Sequence, residues 1–325
     1  MRKKLEFQAD RIEAVLTMHK VPARVTGGTV TPRWVCFKVQ PAPGSPVDKI
    51  KGLGEELAAA LEVSSCRVSR RGVVVDVEIA RDDPQPVWLL PLFRQLQADE
   101  KFSIPPMTAI LGLAEDGAPL LIRLPSPDVG NILVVGAEGA GKTNLLRSMA
   151  MSLAWTNSAD DLVFIVLGDG LPGLERLVEN HQIRRVENFG MAVLEGVKAA
   201  GKRVVFVGDD VHGGGGETAR YLARLLKIER HHYILSWDGV PPPEIAWLFP
   251  VRLVGRVTST EDARAATGWN GSGAERLMGR GDFVAVAEGR VHRFQAAFIG
   301  PNELVTVPAL TANAAALGRS GVWAE

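Results

Sequence analysis

The residues with the clearest chemical meaning form one short glycine-rich segment, Gly136–Thr143, which reads GAEGAGKT. The segment satisfies G-x-x-x-x-G-K-[ST], follows the apolar run ILVV and precedes the helical run NLLRSMAMSLAW. In a strand–loop–helix arrangement of this kind, successive backbone N–H groups surround phosphate oxygens at a helix N-terminus. We therefore expect Lys142 to reach the β- and γ-phosphates of ATP, and the Thr143 hydroxyl to help hold Mg²⁺.

The binding site that this motif predicts extends over the whole loop. The residues expected to line the nucleotide are Gly136, Ala137, Glu138, Gly139, Ala140, Gly141, Lys142, Thr143 and Asn144. Asp209, directly after the apolar run RVVFVG, is predicted to bind the Mg²⁺ ion together with Thr143. The alternatives are a loop that keeps its shape without binding nucleotide, and an acid that only caps a strand.

Asp210 occupies the position after the metal carboxylate, where an acid usually polarises the attacking water. Aspartate is one methylene shorter than the glutamate common at this position. Because a misplacement of about 1 Å can cost on the order of 10²-fold in rate, Asp210 predicts slow hydrolysis.

Four apolar runs indicate the elements that position these residues. The runs are NILVVG (131–136), LVFIVLG (162–168), RVVFVGDD (203–210) and HYILSW (232–237). Continuous apolar runs bounded by glycine or acid are typical of parallel strands covered on both faces, and helical segments lie between them. The pattern predicts an α/β domain with a mostly parallel sheet. We expect the strand before the glycine-rich loop to be central and to lie beside the Asp209 strand.

The first third of the chain has a different pattern. Residues 6–19 have apolar positions at helical spacing, TPRWVCFKVQ alternates like a half-buried strand, and 47–61 returns to helical spacing. CRVSRRGVVVDVEI predicts a hairpin with its turn near Arg71-Gly72. We predict a small α+β domain at 1–105, an α/β domain at 106–310 and a tail at 311–325, with a glycine-rich loop at 212–217.

Composition excludes some classes of protein. The 37 basic and 37 acidic residues balance, so binding of nucleic acid would need a local patch or a ring pore. No apolar run approaches the ~20 residues that span a bilayer, and we expect a soluble cytoplasmic protein without direct membrane insertion. Cys36 and Cys66 allow either one disulfide or two reduced thiols, and a cytoplasmic location favours the reduced thiols.

With these motifs placed, nearly the whole chain resembles the motor region of the FtsK/SpoIIIE family. The segment GSGAERLMGRGDFVAVAEGRVHRFQAAFI is similar to that family's late GGAE–LLGxGDML…R–GAF segment. The N-terminal part, including RWVCFKVQPAPGSP and the following helix, resembles the family's α subdomain. The resemblance implies a RecA-like ATPase domain in a ring, expected to be a homo-hexamer, that grips double-stranded DNA and moves it for chromosome segregation.

The resemblance also suggests roles for further residues. Arg252 and Arg264, in PVRLVGRVTSTEDARAATG, match two family arginines near the subunit interface, where one could reach a neighbour's γ-phosphate. The alternative for either is an ordinary strand-end or surface arginine. Gly279, Gly281 and Asp282 are expected to shape a turn near the site.

Three departures from the family pattern weaken the expected coupling of hydrolysis to movement. LVFIVLGDG lacks the usual Asp-Pro-Lys, and the segment before the Asp209 strand is short. Ser236-Trp237 stands where the family has Thr-Gln-Arg-Pro, so the glutamine that senses the γ-phosphate is missing. Trp237 predicts core packing, with stacking on a base as the alternative. The leading hypothesis is an ATP-driven DNA translocase. The others are a catalytically weak ATP-binding scaffold and a related pump that moves protein.

Overall fold

The computed structural model describes residues 2–63, 66–99, 103–167, 171, 182–186, 201–211, 216–228, 230–300 and 303. The chain divides into two units. The first is Met1–Pro86 with Glu115–Ala118, and the second is Val87–Ala114 with Pro119–Glu325. The expected tail 311–325, residues 212–215 of the expected glycine-rich loop and most of 168–200 lie outside the described residues.

The first unit has helices on one face of an antiparallel sheet. Its elements are α1 (Arg2–Met18), β1 (Ala23–Val30), β2 (Trp34–Pro41), α2 (Val47–Lys51), α3 (Gly54–Leu61), β3 (Cys66–Arg71) and β4 (Val74–Ala80). The strand order is β1-β2-β4-β3. Alternation along β2 and β4 sends one set of apolar side chains into the core, where the helices contribute residues such as Ile12, Leu16, Ile50 and Leu57.

Most elements expected in this unit are present. The hairpin of β3 and β4 turns at Gly72, as predicted, whereas the helix expected over 47–61 is two helices separated at Gly52-Leu53. Strand β1 was missed, because its two glycines weaken the strand pattern. Gly28 meets a packing need there, since a Cβ atom would lie 2.3 Å from the Cys36 carbonyl oxygen. Cys36 and Cys66 are both free thiols.

The second unit alternates strands and helices around the glycine-rich loop. Its first elements are β5 (Val87–Trp88), α4 (Leu89–Ala98), β6 (Thr108–Ala114), β7 (Pro119–Arg123), β8 (Ile132–Gly136), α5 (Lys142–Thr156), β9 (Leu162–Leu167) and β10 (Gln182–Val186). The later elements are β11 (Arg203–Gly208), α6 (Gly216–Leu225), β12 (His231–Asp238), α7 (Pro243–Ala246), β13 (Val251–Val254), α8 (Thr260–Thr267), a 3₁₀ turn (Ala274–Arg276), β14 (Asp282–Ala287) and β15 (Arg290–Phe298). No helix in the described part of the chain combines the length and apolar composition that crossing a bilayer requires.

All these strands belong to one sheet, ordered β10-β9-β11-β12-β8-β13-β14-β15-β6-β7, with β5 added beside β15. The strands from β10 to β13 pair in parallel, and those from β13 to β7 pair antiparallel. The predicted fold class, an α/β domain with a mostly parallel sheet preceded by a small α+β domain, is confirmed.

Burial on both faces explains the continuous apolar runs. In β8, Ile132 and Val134 join the core under α5, while Leu133 and Val135 join the core under α6 and α8. A strand in this position has no solvent-facing side, so polar residues do not alternate with apolar ones. Polar residues are instead found where the parallel strands end, which is the edge where the glycine-rich loop lies.

The expected neighbour of the loop strand was wrong. Strand β8 is central, but its parallel neighbours are β12 and β13, and β12 separates it from β11, the strand before Asp209. Strand β12 follows β11 along the chain and crosses over to occupy the gap. The insertion puts residues of β12 between the loop and Asp209, and these residues shape the site.

Candidate nucleotide-binding site

The glycine-rich loop Gly136–Thr143 connects the end of β8 to the start of α5 at Lys142. Its backbone uses conformations that favour glycine, with φ of 75° at Gly139 and 102° at Gly141. A Cβ atom on Gly141 would lie 2.8 Å from the backbone nitrogen of Gly281, so this glycine also permits a close backbone approach. The predicted strand–loop–helix arrangement is therefore present, with the N–H groups of the first turn of α5 next to the loop.

Lys142 is held by two acceptors at the mouth of the loop. Its Nζ atom donates to the Gly136 carbonyl oxygen at 2.8 Å and to Asp238 Oδ1 at 2.8 Å. The lysine side chain is 10% exposed and the Asp238 side chain 49% exposed, so the ion pair opens to solvent on the carboxylate side. The predicted phosphate-binding ammonium thus shares its position with a carboxylate that was not predicted from the sequence.

Asp238 ends β12 and pairs with Gly136 in the register of the sheet. An acid directly after a buried strand, next to the strand that precedes the loop, was the available signal for it. The signal was missed because Asp209 already filled the expected role of strand-end carboxylate.

Ser236 connects the Asp209 strand to the centre of the site. The buried Ser236 hydroxyl donates to Asp209 Oδ1 at 2.5 Å and accepts from the Asp210 backbone N–H at 2.7 Å. Asp209 is half-buried, whereas Asp210 is exposed and has a left-handed backbone with φ of 52°. The serine therefore fixes the orientation of one carboxylate and the backbone of the next residue.

Asn144 and Ser148 attach the start of α5 to the last strand. Asn144 Nδ2 donates to the Ala297 carbonyl oxygen at 2.9 Å, and the Ser148 hydroxyl donates to the same oxygen at 2.8 Å. The Ile299 N–H lies 3.5 Å from Asn144 Oδ1. Asn144 was expected to line the nucleotide, and its amide is engaged with β15, while Thr143 beside it is half-buried.

A second loop packs against the glycine-rich loop. Arg280 N–H donates to the Gly139 carbonyl oxygen at 3.0 Å, and Gly281 N–H donates to the Ala140 carbonyl oxygen at 2.7 Å. Asp282 is 1% exposed and is bound through both oxygens to Arg293, at 2.9 and 2.8 Å. The segment 279–282 is therefore a turn next to the site, the location expected for it.

The two arginines proposed from the sequence lie elsewhere on the second unit. Arg252 pairs with Leu133 in the sheet, so it lies three residues, about 10 Å of strand, before the loop. Its guanidinium lies over Trp247 at 5.5 Å, and burial lowers its pKa. Arg252 Nε is buried without a hydrogen-bond partner among the described residues. Arg264 is exposed on α8, and its carbonyl oxygen accepts from Gly268 at 2.7 Å.

Trp237 is 9% exposed and packs in the core that lies under α6 and α8. The location agrees with the packing role expected for it. The side chain at this position of β12 therefore supports the sheet, and the polar functions of the strand end belong to its neighbours Ser236 and Asp238.

The donors around the loop fit a magnesium ion carried by a nucleotide. Mg²⁺ prefers oxygen ligands, keeps several waters and uses few protein groups when phosphates also bind it. Thr143 supplies a hydroxyl and Asp209 a carboxylate already oriented by Ser236. Within the described residues, no group of three or more histidines, cysteines or acids could hold a metal without such a nucleotide.

Two family models match the chain, and together they cover more than half of it. The FtsK alpha domain matches residues 1–79, and the FtsK/SpoIIIE family matches residues 93–201. The second match contains the glycine-rich loop and all of α5.

Curated relatives extend the similarity along the chain. DNA translocase FtsK of Caldanaerobacter subterraneus subsp. tengcongensis is 24% identical, over 92% of this chain and 48% of the relative. DNA translocase FtsK of Caulobacter vibrioides is 22% identical, over 93% and 46%. The chain thus spans about half the length of the curated relatives it matches.

A solved structure shares the fold. The pCW3 conjugation coupling protein TcpA, in its monomer form with ATPgS, has a TM-score of 0.53 and 14% identity, covering 94% of this chain and 99% of that chain. The glycine-rich loop and the sheet that carries it are consistent with the family that both models indicate. The chain belongs to the FtsK/SpoIIIE family.

Proposed function

We propose that this chain is the motor of an ATP-driven double-stranded DNA translocase. The observation that supports this proposal best is the placement of three side chains at one edge of the sheet, in a chain that belongs to this family. Lys142 and Thr143 on the loop, and Asp209 two strands away, are the groups that P-loop ATPases use for phosphates and Mg²⁺. In this proposal the α-like domain, expected from the sequence at 1–105, is the first unit, and the RecA-like ATPase domain, expected at 106–310, lies in the second unit, which begins at Val87. Residues 311–325 are a tail.

In the proposed reaction, Lys142 would leave Asp238 and bind the β- and γ-phosphates, while Thr143 and Asp209 are the residues that would hold Mg²⁺. The bound ion would neutralise charge on the phosphates. Ser236 keeps Asp209 oriented through its 2.5 Å hydrogen bond, and Asp210 is the candidate for polarising the attacking water. The loop N–H groups of Glu138, Gly139 and Gly141 would bind the phosphates, while those of Ala137 and Ala140 are already bonded to the carbonyl oxygens of Arg256 and Ala137.

The assembly is a further part of the proposal. A ring, proposed as a homo-hexamer in the cytoplasm, would bring Arg252 or Arg264 of one subunit toward the nucleotide of the next. Arg264 is exposed on α8 and therefore open to a neighbouring subunit, whereas Arg252 is 8% exposed in its own subunit, so Arg264 is the better candidate of the two. Mixing Lys142→Ala with Arg264→Ala protein would restore hydrolysis only if the arginine acts across subunits.

A second candidate function is a catalytically weak, ATP-binding scaffold. The observations that favour it are the short, exposed Asp210 with its left-handed backbone, and the pairing of Lys142 with Asp238. Neither feature prevents nucleotide binding, but each is expected to slow turnover.

ATP hydrolysis measured with and without long linear duplex DNA tests the proposal, with Lys142→Ala as the blank. Hydrolysis that DNA stimulates, and that the variant lacks, is the expected result. Tight ATP binding with turnover no faster than the variant, with or without DNA, would reject the motor and favour the scaffold.

A further inference from the structure

Two loops bind the backbone of the glycine-rich loop, and each carries an arginine. The Ala137 N–H donates to the Arg256 carbonyl oxygen at 2.9 Å, and the Arg280 N–H donates to the Gly139 carbonyl oxygen at 3.0 Å. Both arginines are exposed. Two guanidinium groups are therefore attached to backbone positions that are one hydrogen bond away from the loop.

The strand-end acids Asp209 and Asp238 lie on one side of β8, the strand before the loop, and the two arginines follow or precede strands on its other side. Strand β12, with Asp238 at its end, flanks β8 on one side, and β11 with Asp209 lies beyond it. Strand β13, which leads into Arg256, flanks β8 on the other side, and β14 follows Arg280 beyond it. The sheet order thus separates these two carboxylates from the two arginines.

This separation indicates how a bound nucleotide would be oriented on the loop. The γ-phosphate and its Mg²⁺ belong beside Lys142 and Asp209, so the sugar and base must leave the loop on the opposite side, toward β13 and β14. A guanidinium there can bond the α-phosphate and stack on the face of a purine. We propose that Arg256 and Arg280 bind the α-phosphate and base end of an adenine nucleotide held by the same chain.

The backbone of Arg280 supports a role for its side chain. Arg280 has φ of 51° and lies between Gly279 and Gly281, whose φ values are 72° and 90°. Three consecutive left-handed residues would be least strained if all were glycine, since a side chain with Cβ is disfavoured there. The turn itself does not require an arginine at this strained position. Binding of phosphate by the guanidinium, which lies beside the phosphate-binding loop, would explain why an arginine is there.

Local charge supplies a further reason for these cations. The loop and the ends of β11 and β12 contain one lysine, paired with an acid, and four acids in all, namely Glu138, Asp209, Asp210 and Asp238. A nucleotide with its metal is still anionic, so binding beside these acids needs more positive charge than Lys142 provides. Arg256 and Arg280 supply it on the side of β13 and β14, where the buried Asp282 is already paired with Arg293.

The inference rests on the proposed function, because it assumes that the loop binds nucleotide. The test is calorimetric binding of ADP and of ATPγS, each with Mg²⁺, to the full chain and to Arg256→Ala, Arg280→Gly and their double variant. Glycine takes the left-handed backbone without steric cost, so Arg280→Gly is expected to melt within about 3 °C of the wild type. Arg290→Ala, at the far end of the hairpin of β14 and β15, is the matched control.

Each single variant is expected to weaken both nucleotides about tenfold, and the double variant about 100-fold, while Arg290→Ala changes neither by more than about twofold. A loss confined to ATPγS would overturn the assignment to the base end. Unchanged ADP binding in folded Arg256→Ala and Arg280→Gly, with normal wild-type binding, would overturn this inference alone. A wild type that binds neither nucleotide would overturn the proposed function, and this inference with it.

Discussion

Lys142 Nζ and Asp238 Oδ1 lie 2.8 Å apart, joined by a hydrogen bond across the end of β8 and β12. The contact gives the loop lysine a partner that belongs to the chain itself. An incoming phosphate must take this place, so the nucleotide competes with a carboxylate for one ammonium.

Asp238→Asn removes the competing charge and keeps the shape of the side chain. We expect Mg·ATPγS to bind about fivefold more tightly, because the ammonium is then free to pair with phosphate. Calorimetry measures the affinity, and Asp209→Asn, the same change beside the expected metal position, should weaken it. Weaker binding by Asp238→Asn would instead identify Asp238 as a ligand of the nucleotide-bound metal.

Ser236→Ala removes two hydrogen bonds inside the sheet, one to Asp209 and one from Asp210. We expect the free energy of unfolding to fall by about 1 kcal/mol, since the half-buried Asp209 carboxylate and the Asp210 N–H lose their partner, and hydrolysis to fall with it. Denaturant titration and a steady-state ATPase assay measure the two effects. Ser148→Ala loses one buried hydrogen bond to Ala297 and should lower stability without lowering turnover. Equal turnover in both variants would contradict an orienting role for Ser236.

The two left-handed glycines of the loop differ in what surrounds them. A Cβ atom on Gly139 would have nothing within 4 Å, whereas a Cβ atom on Gly141 would lie 2.8 Å from the Gly281 nitrogen. Both alanine variants carry the strain of positive φ, but Gly141→Ala adds a clash with backbone. We expect the free energy of unfolding of Gly141→Ala, measured by denaturant titration, to be about 1–3 kcal/mol lower than that of Gly139→Ala. Equal stabilities would show that the loop and the 279–281 turn separate freely.

Arg252 is a buried cation without a hydrogen-bond partner for its Nε atom among the described residues. Arg252→Met keeps the apolar contact with Trp247 and removes the desolvated charge, so we expect the free energy of unfolding to rise by about 1 kcal/mol. Denaturant titration measures it, and Arg264→Met on the exposed face of α8 should change it by less than about 0.5 kcal/mol. A destabilised Arg252→Met would mean that the guanidinium is well solvated or paired in its own subunit.

Burial raises the pKa of the Cys66 thiol to about 12, and the nearby Glu78 carboxylate adds to the rise. The thiol therefore stays protonated in the folded chain at pH 8–9, whereas in the unfolded chain it loses its proton near the ordinary thiol pKa of about 8.5. The free energy of unfolding is therefore expected to fall as the pH rises above about 8.5. We expect iodoacetamide to label Cys66 slowly in folded Cys36→Ala protein and rapidly after unfolding. Labelling at the unfolded rate in folded protein would contradict the burial.

The sequence predicted much of this fold because parallel strands with two covered faces leave a strong signal. The runs that became β8, β9, β11 and β12 were all recognised, as was the loop that ends at Thr143. Strand β1 was missed because Gly27 and Gly28 interrupt its pattern. The split between α2 and α3 was missed because apolar spacing continues across Gly52.

The site was less predictable than the loop, since it depends on strand order. Periodicity identifies strands but does not say which of them are neighbours, and so Asp238 and Ser236 were not connected with Lys142 and Asp209. Arg256 and Arg280 were missed for a related reason. Their contacts with the loop are made by backbone atoms, which have no residue pattern to identify them.

The neighbours of β8 come from far along the chain, and this has a consequence during synthesis. Residues 132–136 pair with 234–238 and 251–254, and the loop and α5 are bound by residues 279–281 and 297. A ribosome must therefore add 154 residues after Thr143 before Ala297, which makes one of the last of these contacts, is in the chain. Until residue 297 has emerged, the loop lacks its last contacts, and the nascent second unit depends on the contacts that it can already form.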